Sequence, residues 1–188
     1  MLDDGVNYIV SGLERSGTSV MMQMLHMGGL PVAFDDSRPA DQHNPRGYYE
    51  LAGGKIISRL VDGTCDLASN KGRIVKITAY GLKFLPKGNY KIIYLLRNID
   101  EVLDSMQKMG FPVDRRKDRA LLRKLNRFSF DLMDRREDME YVTVNYRDVI
   151  DSPRREIEKV GRFLGQTFDF ARAIRAVDPG LYRSRPHK

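Results

Sequence analysis

The run YKIIYLLRN, residues 90–98, is apolar on both of the faces a strand presents, and a helical pattern, IDEVLDSMQKM, starts directly behind it. A strand apolar throughout has to be covered on both sides, as parallel strands are when helices pack on either face of their sheet. Three further runs have strand character: VNYIVSG (6–12), RIVKITAY (73–80) and MEYVTVNY (139–146). Helical patterns separate them. One spans 16–29 and is closed by Gly28 and Gly29; a second runs from Tyr49 to residue 63 and is weakened by its own Gly53 and Gly54. Others follow over 99–109, over the basic stretch 114–138, and over 152–165, with Pro153 in the first turn and Gly165 past the end. Pro31, Pro39 and Pro45 exclude a long helix between residues 30 and 47. Four strands alternating with helices predict an α/β fold, a mostly parallel sheet flanked by helices. The 188 residues suit a single domain, 1–188, with 176–188 as a flexible basic tail.

Open sheets of this kind bind ligands beyond the carboxyl ends of their strands. The segment VSGLERSGTSV, residues 10–20, falls at such an end. Gly12, Gly17 and Ser19 have the spacing of the phosphate loop G-x-x-x-x-G-K-[ST], but Thr18 stands where that loop has lysine, and Arg15 precedes the second glycine. A helix opening at Ser16–Ser19 offers unpaired N–H groups and a partial positive charge to an anion. Arg15 adds a planar fork of donors, and Thr18 and Ser19 add hydroxyls. The plainer alternative is a tight strand-to-helix turn with Ser16 as its N-cap.

Thirty-two Lys and Arg against 25 Asp and Glu give a net charge of +7, which favours an anionic partner without naming it. The densest basic stretch, 114–138, interleaves acids and reads as the solvated face of a helix. It lacks the interleaved aromatics of a single-strand binder, so nucleic acid is not the expected partner. The one cysteine, Cys65, excludes an internal disulfide and suits a reducing cytoplasm. No apolar run approaches a membrane span, and the acidic start MLDDGVNYIV lacks the basic opening of a secretory signal. No Cys, His or carboxylate cluster has metal-ligand spacing.

The loop ERSGTS resembles the 5′-phosphosulfate loop of sulfotransferases that use 3′-phosphoadenosine 5′-phosphosulfate (PAPS): Lys or Arg, any residue, Gly, then two hydroxyl residues. RNIDEVLDS is similar to that family's second motif, with Arg97 at a strand end and Ser105 eight residues on. VNYRDVIDSPRREIEKVGRFLG resembles its tyrosine-led strand end and following helix, and NPRGYYE a segment of several bacterial members. The likeness touches residues 8–28, 44–50, 74–105 and 141–165. It implies a P-loop-NTPase-like three-layer architecture and transfer of a sulfuryl group from PAPS to an acceptor hydroxyl or amine, small or glycan-like, leaving adenosine 3′,5′-bisphosphate. By the same resemblance Arg15, Ser16, Gly17, Thr18 and Ser19 hold the 5′ group, Arg97 and Ser105 hold the 3′-phosphate, and Arg15 and Lys76 stabilise the transferring group.

Departures from the family pattern matter as much. Where small-molecule members read Lys-Thr-His with the histidine as base, this chain reads Lys76-Ile77-Thr78. Threonine is no base near neutral pH; other branches resemble one another in using a glutamate instead, and by that resemblance Glu50 is the expected base, with His43 the alternative. The Arg-Lys-Gly stretch that touches the 3′-phosphate near the C-terminus is absent, and only Arg183 and Arg185 are at hand to compensate. His26 and Met21, Met22, Met24 and Met27 read as packing residues. Two other readings stay open: a nucleotide kinase or NTPase with a degenerate phosphate loop, and a nucleotide-binding module without catalysis.

Overall fold

The computed structural model describes residues 1–35, 37–42 and 44–182. Its sheet contains β1 (Asn7–Gly12), β2 (Val32–Ala33), β3 (Ile74–Lys76), β4 (Tyr90–Leu96) and β5 (Met139–Asn145) in the order β2-β3-β1-β4-β5. Every pairing is parallel. Alternation along the strands shows why. Tyr8 and Val10 of β1, with Ile93 and Leu95 of β4, enter one core together with α1 (Thr18–Met27) and residues further along the chain. Ile9, Ile92 and Tyr94 enter the opposite core. The sheet is covered on both faces, so its strands are apolar on both.

The first core also takes α5 (Tyr146–Asp151), α6 (Pro153–Leu164) and α7 (Phe170–Ile174) through Val149, Ile157, Val160, Leu164 and Ala173. Met21, Met22 and Met24 of α1 are fully buried there, as core residues. The second core receives α2 (Ile56–Val61) and α4 (Arg115–Arg135), the latter through Leu122, Leu125 and Met133. Between them α3 (Ile99–Lys108) leaves the end of β4, with the Asn98 side chain accepting from the backbone N–H of Asp100 as an N-cap.

Three expectations are corrected. The sheet has a fifth strand, β2, two residues long and paired to β3. It follows Pro31, which lies just outside the strand, where its missing N–H costs no ladder bond and its carbonyl accepts from the Ile74 N–H at 2.9 Å. The helix expected from Tyr49 to residue 63 is confined to a 3₁₀ turn at Ala52–Gly54 and to α2. Tyr49, Ala52, Gly53 and Gly54 all have positive φ, a conformation no α-helix accommodates. Residues 176–182 of the expected tail are packed: Ala176 and Tyr182 are buried, and Pro179–Leu181 forms a 3₁₀ turn. Arg183, Arg185 and His187 lie outside the described residues, as does His43.

β1 sits between β3 and β4, so the chain crosses to one side of it through α1 and returns on the other through β4. Its carboxyl end is therefore the topological switch point, where doubly wound sheets open a crevice.

Candidate functional site

A cleft of about 260 Å³ opens at that point. Of the residues expected to form a site, Arg15, Gly17, Thr18, Ser19, Glu50, Lys76, Arg97 and Ser105 all line it. Four segments remote in sequence converge there: the β1–α1 loop, the loop before α2, the end of β3, and the β4–α3 turn with α3 itself.

The β1–α1 loop is shaped by its glycines. A Cβ on Gly12 would meet the Leu95 carbonyl oxygen at 2.5 Å and the Ser16 hydroxyl at 2.6 Å. That tight packing turns Ser16 inward: it is fully buried, its hydroxyl has no partner among the described residues, and its backbone N–H donates to the Leu13 carbonyl at 3.1 Å. Ser16 thus neither lines the cleft nor caps the helix. The N-cap of α1 is Gly17, at φ 101°, and no side chain caps the first turn. Thr18 and Ser19 carry that uncapped turn into the cleft, where an anion has both the helix dipole and free N–H groups to meet.

Arg15 holds a left-handed backbone, φ 65°. Its guanidinium enters the cleft, and Nε donates to the Ser105 hydroxyl of α3 at 3.1 Å. It forms no ion pair among the described residues. Burial, reinforced by neighbouring Arg97 and Arg38, pulls its pKa below the ordinary value against a smaller opposing effect of Tyr48. Even so, a guanidinium keeps its proton. This is a cation held charged in a partly buried place, with Asp41 near enough to act on it but no carboxylate in ion-pair contact among the described residues.

Lys76 stands at the end of β3, only 5% exposed. It is therefore not a solvated strand-end lysine. Its ammonium donates to the Tyr48 carbonyl at 2.6 Å and the Ser19 hydroxyl at 3.1 Å, and pairs with Glu50 Oε1 at 2.8 Å. Burial lowers its pKa, and the Glu50 carboxylate opposes that shift. The other oxygen of Glu50 takes Arg38 Nη1 at 2.7 Å, and Arg38 lies over the Tyr48 ring, 3.6 Å from its centroid. Burial works against ionised Glu50, but Lys76 and Arg38 together outweigh it and hold its pKa below the usual carboxylate range. Thr78, at the position of the family's histidine, also lines the cleft.

Arg97 pairs with Glu101 one turn along α3, Nε to Oε2 at 2.9 Å, and donates from Nη1 to the Arg15 carbonyl at 2.9 Å. Arg97 is thus paired at the start of α3, and it still stands on the cleft wall. The guanidinium lies over Tyr146, 4.5 Å from the ring centroid. Tyr146 in turn abuts the loop, for a Cβ on Gly17 would stand 2.2 Å from its ring.

Some participants carried no chemical signal of their own in the sequence, though Arg46 and Tyr48 lie in the segment NPRGYYE. Arg38, Tyr48 and Tyr182 reach the site only through long-range contacts; Tyr182 donates from its hydroxyl to Glu101 Oε1 at 2.6 Å. Arg46 ties the loop before α2 to the end of α7, donating to the carbonyls of Arg175 and Ala176 at 3.3 and 2.7 Å. His26 is outside the cleft, its ring against Phe34 and Tyr49.

Comparison with known proteins agrees with this geometry. No curated protein matches the chain. Among solved structures, the sulfotransferase domain from the Synechococcus PCC 7002 olefin synthase superposes with a TM-score of 0.58 at 18% identity, over 100% of this chain and 90% of that one. The sulfotransferase domain from the curacin biosynthetic pathway gives 0.54 at 14% identity, over 91% of this chain and 77% of that one. At such identities the likeness establishes the fold. Residues 7–178 match the family described as Sulfotransferase domain. That match spans the loop, the β3 lysine and the Arg97–Ser105 segment together, and the chain belongs to the sulfotransferase domain family.

Proposed function

We propose that the protein moves a sulfuryl group from PAPS to the hydroxyl or amine of a small or glycan-like acceptor. The observation that carries this reading is Arg15: a guanidinium without an ion-pair partner among the described residues, beside an uncapped helix N-terminus and bonded to Ser105. A cleft built this way suits a ligand with anionic groups at two places, one over the loop and one over the β4–α3 turn. PAPS has that pair in its 5′-phosphosulfate and 3′-phosphate.

In the proposed reaction the acceptor oxygen or nitrogen attacks sulfur in line. Its bond to sulfur forms as the bond from sulfur to the bridging oxygen breaks, and the electron pair leaves with the 5′-phosphate. Arg15, Lys76 and the first-turn N–H groups of α1 offset the charge that develops there. Glu50, kept ionised by Lys76 and Arg38, accepts the acceptor proton, a role worth about 10²–10⁴-fold in rate. Arg97 and Ser105 hold the 3′-phosphate. The single cysteine suits a reducing compartment such as the cytoplasm.

One contact favours a second reading. Lys76 Nζ stands 3.1 Å from the Ser19 hydroxyl, so β3 brings an ammonium to the loop that lacks its own lysine. A nucleotide kinase would use such a charge. Calorimetry with adenosine 3′,5′-bisphosphate and with ATP, each with and without magnesium, separates the two. Metal-independent binding of the bisphosphate, with transfer from labelled PAPS to an acceptor panel, is the expected result. Binding of ATP with magnesium alone overturns the sulfotransferase reading, and bisphosphate binding without transfer to any phenol, alcohol, amine or sugar leaves a non-catalytic module.

A further inference from the structure

The end of the described chain comes back to the Arg97 wall of the cleft. The 3₁₀ turn at Pro179–Leu181, with the Asp178 side chain accepting from the Gly180 N–H, delivers Tyr182 into a buried position. There its hydroxyl donates to Glu101 Oε1 at 2.6 Å, while Glu101 Oε2 accepts from Arg97 Nε at 2.9 Å. The two carboxylate oxygens are thus divided between two donors. The Tyr182 ring meets Tyr146 edge-on at 5.4 Å, and the Arg97 guanidinium lies against both rings. Arg97 Nη1 is committed to the Arg15 carbonyl, and Nη2 makes no hydrogen bond among the described residues.

An arginine and a carboxylate left to themselves tend to close a pair of parallel hydrogen bonds, engaging two guanidinium nitrogens. Such a pair would turn the fork of Arg97 onto Glu101 and away from the cleft. We propose that Tyr182 is a positioning residue: by occupying one oxygen of Glu101 it limits that carboxylate to a single bond with Arg97 and leaves Nη2 for the 3′-phosphate. The proposal rests on the reading of Arg97 given above. Burial together with Glu101 pushes the Tyr182 hydroxyl up to about 12, so it remains a donor at neutral pH. The C-terminal segment then serves the 3′-phosphate by orientation, where the family's Arg-Lys-Gly stretch serves it by charge.

The test measures binding of adenosine 3′,5′-bisphosphate and of AMP to the full chain and to Tyr182→Phe, Glu101→Gln, the double variant and Arg97→Ala, with melting temperatures alongside. Tyr182→Phe keeps the ring and removes only the hydroxyl. Its expected effect is a loss of about three- to tenfold for the bisphosphate, with AMP unchanged within about twofold. A carboxamide cannot close the charged fork, so Tyr182→Phe is expected to cost nothing more in the Glu101→Gln background. A role confined to docking the chain end would lower the melting temperature and leave the ratio of the two ligands unmoved, and that result overturns the proposal. If Arg97→Ala abolishes the preference for bisphosphate while Tyr182→Phe keeps it, the positioning role alone fails. If the unmutated protein shows no preference, the 3′-phosphate reading of Arg97 fails and the positioning role with it.

Discussion

Arg15 and Ser105, 90 positions apart in the chain, meet directly: the guanidinium Nε donates to the hydroxyl at 3.1 Å. In the proposed function the first serves the 5′ end of the nucleotide and the second its 3′-phosphate. Their contact, with the Arg97 bond to the Arg15 carbonyl, joins the two places into one continuous wall of the cleft. What a substitution does to one ligand group can therefore be read against the other.

Arg15→Ala removes a cleft guanidinium that has no ion-pair partner among the described residues but keeps the carbonyl that Arg97 uses. A charge-assisted hydrogen bond contributes about 1.5–3 kcal/mol, so AMP and adenosine 3′,5′-bisphosphate should both weaken by roughly ten- to a hundredfold. Calorimetry on both ligands checks it. A loss confined to the bisphosphate would mean that Arg15 serves the 3′ side through Ser105 and not the 5′ group.

Arg97→Ala should separate the ligands instead. The bisphosphate is expected to lose about ten- to a hundredfold and AMP almost nothing, so that the preference between them collapses. Equal weakening of the two would show Arg97 to be a prop for the loop, bound to Glu101 and to the Arg15 carbonyl and to no ligand.

Glu50→Gln tests a base and an ion pair at once. Turnover should fall by about 10²–10⁴-fold with cofactor affinity nearly unchanged. Stability should also fall, by up to about 3–5 kcal/mol, because Lys76 is left charged and buried without its partner. The pH dependence has a definite sign. Glu50 has its folded pKa below the value of 4.5 for a free carboxyl. The folded state therefore binds fewer protons, and this stability is present above pH 4.5 and lost as pH falls through the folded pKa. Unfolding titrations of Glu50→Gln should show a shallower acid limb, and an unchanged limb would mean the pair contributes no linkage.

Gly17→Ala places a Cβ 2.2 Å from the Tyr146 ring at a φ of 101°. Strain of this kind costs about 1–3 kcal/mol, and the collision adds to it by moving the ring on which Arg97 lies. Denaturant melts should show the loss, and bisphosphate binding should weaken more than the stability change alone explains. A variant as stable as the original would mean that the loop can shift away from Tyr146 at no cost.

The parts of the fold legible in the sequence were those with their own periodicity or punctuation. β4 is apolar on both faces, α6 has Pro153 and Gly165 at its two ends, and both appear where expected. Gly12 and Gly17 marked the cleft for a similar reason, since a tight turn constrains residue type locally, whereas Arg97 and Ser105 stood out only through the family resemblance. β2 was illegible because two residues carry no period, and its pairing with β3 is set by the sheet already there. The helix expected at Tyr49 failed because left-handed residues there turn Glu50 toward Lys76, a contact 26 positions away. Tyr48 and Tyr182 act through partners 28 and 81 positions away, and Arg38 through Glu50, 12 positions on across an irregular loop, none of which a local pattern encodes.

The left-handed backbone of Arg15 sets what the fold would choose against what the ligand requires. Outside glycine that conformation costs about 1–2 kcal/mol. Arg15→Gly would release the strain, partly offset by the wider freedom of glycine in the unfolded chain, and would discard the guanidinium. Robustness and affinity therefore run in opposite directions at this single residue. A selection for heat resistance alone would be drawn toward glycine at position 15, and the protein it produced would have an emptied hand in the cleft.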